Sequence, residues 1–513
     1  MNKIIFFLFV FFMLLSSCVL ADVKLPAIIS SNMVLQQNSN AALWGWADVG
    51  EDVSITNTWN NQTVRTVADQ NGEWKLILKT IKAGGPYSIT IKGKNSVELA
   101  NVMLGEVWLC SGQSNMEFPL EKQDGWKTGS VNAEQEIAQA NYPNIRLFTV
   151  QKTTSGVPLK DVKGTWSECS PSTARRFSAV AYYFGKELWK ETGIPIGLIH
   201  SSWGGTPAEA WTKKEILEAD TDYKPIFDRL KKSEEDYPKS ITVYEQQMEQ
   251  WKKDSAIAKQ KGDTVAKAPS KPAAVRYYQA PTYLYNAMIA PLIPYTLKGV
   301  IWYQGESNAG RAYQYRKLFP AMIANWRKDW NSDFPFYFVQ IAPHQGQGPE
   351  IREAQLLTML SVPKTGMAVI TDAGDSLDIH PTNKEIVGKR LALWALAKDY
   401  GKANIEYSGP VYKSMKRENE KIRITFDHAV SGLEAKHGQL NEFIIAGEDQ
   451  KFLPAQAKIE GNTIVVWNEM ITKPVAVRYS WKNFPHPDLY NKSGLPATPF
   501  RTDQWPGVTF GKN

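Results

Sequence analysis

Val107-Trp108-Leu109-Cys110-Ser111-Gly112-Gln113-Ser114-Asn115-Met116 is the stretch on which the fold turns. Four consecutive apolar residues leave no polar face, as in a strand buried on both sides within a parallel sheet. The run ends in a glycine-bearing turn that lifts a serine above the sheet edge. Ile194–Ile199, Val300–Tyr303, Phe336–Ile341 and Met367–Ile370 are further runs of this kind. Between them lie helical patterns, clearest over Phe177–Thr192. There Ser178 is placed to cap, Val180, Ala181, Phe184 and Leu188 form one face, and Gly193 ends the pattern. Arg311–Asp329, Glu350–Leu360 and Asn383–Asp399 also read as helices. Alternation of strand and helix from residue 105 to 402 predicts a three-layer α/β domain with a parallel sheet.

Outward from this core the pattern changes. Residues 22–104 carry short β-prone pieces, Ala42–Trp46, Val53–Ile55 and Tyr87–Ile91, separated by turn signals such as Gln70-Asn71-Gly72. They predict a small N-terminal β-sandwich-like domain. From 403 to 513 Ile422–Phe426, Glu442–Ile445 and Thr463–Trp467 predict a second, C-terminal one. Residues 213–271 are rich in Lys, Glu, Asp and Gln and end in Ala268-Pro269-Ser270-Lys271-Pro272. They read as an exposed helical insertion in the α/β domain, either a solvated excursion or a rim over the site.

The chain opens with Met1-Asn2-Lys3 and the apolar run Ile4–Leu15, followed by Val19-Leu20-Ala21. Residues 1–21 read as a secretory signal peptide cleaved after Ala21. The overlapping Leu15-Ser16-Ser17-Cys18 offers a lipoprotein box, with Cys18 as the anchored residue. The expected location is outside the inner membrane, in the periplasm. No later segment is long and apolar enough to span a bilayer. Cys110 and Cys169 are too few for a disulfide framework, and their pairing is open. The net charge of +7 is dispersed, which argues against nucleic acid as a partner.

The chain has no Gly-x-Ser-x-Gly elbow, P-loop or His-Glu-x-x-His, and no clustered ligands that point to a metal or cofactor. Of six histidines, His380 lies in Asp375-Ser376-Leu377-Asp378-Ile379-His380, just after the last α/β strand, where sites gather in such sheets. Ser114 sits at the corresponding end of the first strand. Ser201-Ser202-Trp203-Gly204-Gly205-Thr206-Pro207 follows the next and offers backbone N–H groups ahead of a Pro-started helix, an arrangement suited to an anion. Gln304-Gly305-Glu306-Ser307-Asn308 follows a fourth strand and brings a donor amide.

Taken in this order, the four segments resemble the sialate O-acetylesterase family of SGNH-type serine hydrolases. Phe177–Phe184, Leu284–Ile289 and the opening Leu25–Leu35 fit it too. The resemblance covers nearly the whole mature chain and implies a secreted bacterial esterase that removes O-acetyl groups from a carbohydrate. It implies Ser114 as nucleophile and oxyanion donor, Gly204 or Gly205 (Gly205 preferred) as second donor, Gln304 as side-chain donor and His380 as base. The acid departs from the family pattern, because Leu377 stands where an Asp is usual. Asp378 is preferred, with Asp375 and a dyad steadied by a backbone carbonyl as alternatives. Gln113, Asn115, Trp203, Asn286 and Glu306 are the expected substrate contacts, with Trp211 and Trp302 as further aromatic candidates. Sialic acid esters are the implied substrate, and acetylated xylan or xyloglucan the alternative. Two other classes compete: a glycan-binding surface protein with no need of Ser114, and a glycosidase using Glu306 and Asp378.

Overall fold

The computed structural model of the chain describes residues 22–513; the leader, its cleavage site and Cys18 lie outside the described residues. The fold is mixed α/β. Seven strands form its centre: β1 (Ser96–Gly112), β2 (Tyr142–Thr149), β3 (Trp166–Cys169), β4 (Ile196–Ser202), β5 (Gly299–Tyr303), β6 (Phe336–Gln340) and β7 (Thr365–Val369). Their order across the sheet is β7-β6-β5-β1-β4-β2-β3. All neighbours run parallel except β3, which pairs antiparallel with β2 at one edge. The order reverses at β1, so the loops after β1, β4 and β5 meet at one carboxyl edge, where open α/β sheets bind their ligands.

Five helices matter here: α1 (Ala179–Thr192), α2 (Lys224–Lys261), α3 (Ala312–Trp330), α4 (Pro349–Ser361) and α5 (Lys384–Asp399). The capping read from sequence holds at α1. Ser178 Oγ accepts the Ala181 N–H at 3.2 Å, and Gly193 takes a left-handed φ of 68°. Alternation along β6 shows how the sheet is covered. Phe336 and Phe338 meet Trp326 and Phe319 of α3, whereas Tyr337 meets Trp394 of α5. Successive strand residues face opposite ways, so α3 and α5 lie on opposite faces.

The expected border at residue 104 falls inside β1. Its first part alternates exposed Ser96 and Glu98 with buried Leu99, and every residue from Val102 to Gly112 is buried. One strand therefore serves two environments without a linker. Val34–Gln36 and Gly84–Lys92 pair onto its early half, and apolar residues of both regions form one core. The C-terminal region has its own core around Ile424, Phe443, Tyr479 and Phe500, between two four-stranded sheets. The insertion is mostly α2, a helix of 38 residues with only Ile226 and Ser255 buried. Pairs such as Lys224–Asp228 and Lys253–Glu249 decorate its surface at i,i+4 spacing. Cys110 and Cys169 are free buried thiols. Among the described residues, no helix is long and apolar enough to cross a membrane.

Candidate active site

Gly112 leaves β1 with a φ of 143°, and a Cβ there would lie 2.2 Å from the Tyr303 carbonyl oxygen. Only glycine lets the chain turn this close to β5. The turn delivers Ser114 at the start of a short helix, Ser114–Glu117. His380, 266 residues later, arrives from the loop after β7. Its Nε2 lies 2.9 Å from Ser114 Oγ. Asp378 Oδ1 is 3.3 Å from His380 Nδ1 and accepts the His380 backbone N–H at 3.0 Å. Asp375 faces elsewhere, its Oδ1 accepting the N–H groups of Leu377 and Asp378 as a cap on the same loop. Leu377 is 77% exposed, so the position where the family pattern has its acid points into solvent here.

Burial lowers the proton affinity of His380, and nearby Lys384 adds to this; Asp378 opposes both, and the pKa settles below its usual value. Burial alone raises Asp378, but the His380 N–H, the imidazole and Lys127 outweigh it and hold the carboxyl below its ordinary range. The Trp126 ring stands edge-on to the imidazole with centroids 5.0 Å apart, and Lys127 Nζ lies 3.5 Å from Asp378. Trp126, Lys127 and Glu117 escaped the sequence reading. Glu117 stands three residues after Ser114, one turn along its helix, and that spacing was the available signal.

Gly204 approaches Ser114 so closely that a Cβ would sit 3.1 Å from Ser114 Cβ. Its N–H is taken by Glu117 Oε2 at 2.7 Å. Gly205, at φ 74°, and Ser114 both have N–H groups that donate to nothing among the described residues. The helix expected after Pro207 is a single 3-10 turn, and its first N–H, that of Ala208, is bound by Asn308 Oδ1. It offers no anion site.

Several expected contacts turn inward. Gln304 is fully buried, and its amide donates to the Thr206 carbonyl and to Asn308 Oδ1, so no N–H remains for an oxyanion. Gln113 accepts the Ser307 N–H, tying the β1 turn to the β5 turn. Asn115 is wholly buried and donates to Glu306 Oε1 and to the Ile379 carbonyl. Glu306 is thus held beneath the Ser114 turn, and burial raises its carboxyl. Asn286 is buried against the Ser155 carbonyl. Trp211 and Trp302 are packing residues, both completely buried. Trp203 alone of the expected aromatic contacts keeps a half-exposed ring, stacked on Tyr278 at 5.3 Å beside Gly204. A second serine–histidine pair, Ser202 Oγ to His200 Nε2 at 2.6 Å, is sealed inside the fold. Among the described residues, no three His, Cys, Asp or Glu side chains gather as a metal site.

A family model described as carbohydrate esterase, sialic acid-specific acetylesterase, matches residues 104–256 and 246–396. The chain belongs to this family. Among relatives of the sialic acid-specific acetylesterase family, a sialate O-acetylesterase of Rattus norvegicus is 32% identical over 93% of this chain and 94% of its own. The Homo sapiens sialate O-acetylesterase is 29% identical, with 94% of each chain covered. A solved carbohydrate acetylesterase from Xanthomonas citri superposes with a TM-score of 0.78 at 36% identity, covering 94% of this chain and all of that one.

Proposed function

We propose that this family member hydrolyses acetyl esters on sugar hydroxyls by a serine acyl-enzyme mechanism, on a three-layer SGNH-type scaffold. The observation that carries the reading is the aligned set Ser114 Oγ, His380 Nε2, His380 Nδ1 and Asp378 Oδ1 at the carboxyl edge of the sheet. With Nδ1–H turned to Asp378, Nε2 is the acceptor that takes the Ser114 proton as Oγ attacks the acetyl carbonyl. The free N–H groups of Ser114 and Gly205 receive the developing oxyanion. The imidazolium then protonates the departing sugar oxygen. Water, deprotonated by the same nitrogen, frees acetate. Gln304 acts at one remove, by holding Thr206 and Asn308 and through them the Gly204–Gly205 loop.

For the sugar, we favour an acidic one, sialic acid, over neutral plant polysaccharide. A cavity of about 430 Å³ opens from Gly205 and Ser307, and Arg229, Arg276 and Arg311 line it. Glu209 offsets two of them, at 2.6 Å from Arg311 and 3.9 Å from Arg229. Arg229 also donates to the main-chain oxygen of the C-terminal Asn513 at 2.9 Å, and burial, then Arg311, lowers its guanidinium. Arg276 is exposed and has no ion-pair partner among the described residues. A carboxylate on the substrate would complete this balance. Arg229 comes from α2, which gives the insertion a place at the rim. Export through the leader read in residues 1–21 would put the enzyme where it meets such glycans.

The test is acetate release from O-acetylated sialic acid and from acetylated xylan, with Ser114→Ala alongside. Release from the acidic sugar, lost in Ser114→Ala, is expected. A fully active Ser114→Ala would overturn the mechanism, and release from xylan alone would overturn the sugar.

A further inference from the structure

Lys384 breaks two rules at once. Its side chain is completely buried, a rare state for lysine, and it occupies the first residue of α5, where the helix dipole disfavours a cation. Neither cost brings packing that Met or Leu would not supply. Such a residue is expected where it does something besides fold the chain.

Its surroundings indicate what. Nζ donates to Asn115 Oδ1 and lies over the rings of Phe118 and Tyr303, at 4.6 and 5.4 Å from their centroids. The Asn115 amide is then fully used: Oδ1 to Lys384, and Nδ2 to Glu306 Oε1 at 2.7 Å and to the Ile379 carbonyl at 3.0 Å. Asn115 follows the nucleophile and Ile379 precedes the base. One buried amide therefore bolts the serine turn to the histidine loop, and Lys384 fixes which way that amide faces. Glu306 Oε2 has no hydrogen-bond partner among the described residues, and the pocket pairs one ammonium with one carboxylate through a neutral amide.

We propose that Lys384 is a positioning residue for hydrolysis, which locks the Asn115 bridge between Ser114 and His380 and keeps a buried positive charge on the Ser114 side of that bridge. This rests on the reading of Ser114 and His380 as the hydrolytic pair. The charged groups bearing on His380 are Asp378, which favours its protonation, and Lys127 and Lys384, which oppose it. Those bearing on Lys384 are Glu306 and Asp378. Burial brings Lys384 down to about 7, with the two carboxylates opposing. Below that pH it carries a full charge, and the repulsion keeps His380 neutral, hence able to accept a proton, further into the acid range. Above it the charge fades, when His380 no longer needs protection.

The decisive experiment is the pH profile of kcat/KM on 4-nitrophenyl acetate for the full chain and for Lys384→Met and Lys384→Gln. In Lys384→Met the acid limb moves up by about half a pH unit or more, because an opposing charge has gone. Its plateau rate falls about tenfold or more, as the bridge loses its orientation. Lys384→Gln keeps a donor for Asn115 Oδ1 without the charge. It is expected to show the same limb shift with most of the plateau rate retained, and it serves alone should the Met variant not fold. A limb that stays put in either folded variant, whatever happens to the plateau, overturns the proposal. Ser114→Ala on the same ester separates the two claims. If it is inactive while the Lys384 variants leave the limb unmoved, the hydrolytic pair stands and the role of Lys384 falls.

Discussion

Glu117 Oε2 accepts the Gly204 N–H at 2.7 Å, from one turn along the helix that begins at Ser114. Lys152 holds the other carboxylate oxygen at 2.6 Å. The pair fixes the strand-four loop against the Ser114 helix, and it occupies the Gly204 N–H while the Gly205 N–H stays free for the oxyanion role proposed above.

Removing that anchor lets the Gly205 donor drift. Glu117→Ala is expected to lower kcat by about tenfold to a hundredfold, less than or equal to the loss of an oxyanion donor itself, with KM little changed. Steady-state kinetics on 4-nitrophenyl acetate would decide, and an unchanged kcat would remove Glu117 from this role. Gly204→Ala is expected to be as harmful, since the added methyl meets Ser114 Cβ at 3.1 Å.

Asp378 touches both the imidazole and the His380 backbone, whereas Asp375 touches only loop N–H groups. Asp378→Asn should therefore cut kcat by about a hundredfold or more through loss of tautomer control, while Asp375→Asn should cost about tenfold at most. Equal losses, or the reverse order, would move the acid.

His380 sits below its ordinary value of 6.5, through burial first and Lys384 second. Only the neutral imidazole accepts the serine proton. The acid limb of kcat/KM is thus expected below pH 6.5, with activity rising as pH increases through it. A limb above 7 would mean that another group controls the rate.

What the sequence made legible followed from local rules. Both-face apolar runs located β1, β4, β5, β6 and β7, and Ser178 and Gly193 located the ends of α1. That Ser114 and His380 meet at one sheet edge was readable because both follow such runs. The side-chain directions of Asn115, Gln304, Glu306 and Asn286 were not, because a polar residue beside a nucleophile looks the same in sequence whether it faces substrate or the core. Their partners come from residues such as Ile379 and Ser155, over a hundred positions away. Lys384 was hidden for the same reason: at a helix start it reads as an exposed cation. The composition change at 104/105 marks a change along β1, which passes from half-exposed to fully buried without breaking.

The C-terminal β region is joined to the α/β core by charge. Arg501, almost fully buried, donates to Glu353 Oε1 of α4 at 2.6 Å, and Arg316 of α3 pairs with Oε2. Asp503 contacts Arg501 more loosely at 3.3 Å. The strength of such a pair shows when it is broken, because the stranded guanidinium has lost its water as well as its partner. Glu353→Ala leaves Arg501 with two neutral acceptors, the Trp505 carbonyl and the Tyr313 hydroxyl, and with Asp503, which Arg478 already engages at 2.8 Å. The expected cost is about 3 kcal/mol of unfolding free energy, read from urea denaturation. Glu353→Gln, which retains an acceptor, should cost less. A loss below about 1 kcal/mol in Glu353→Ala would show that solvent reaches Arg501 and that the junction rests on its apolar contacts instead.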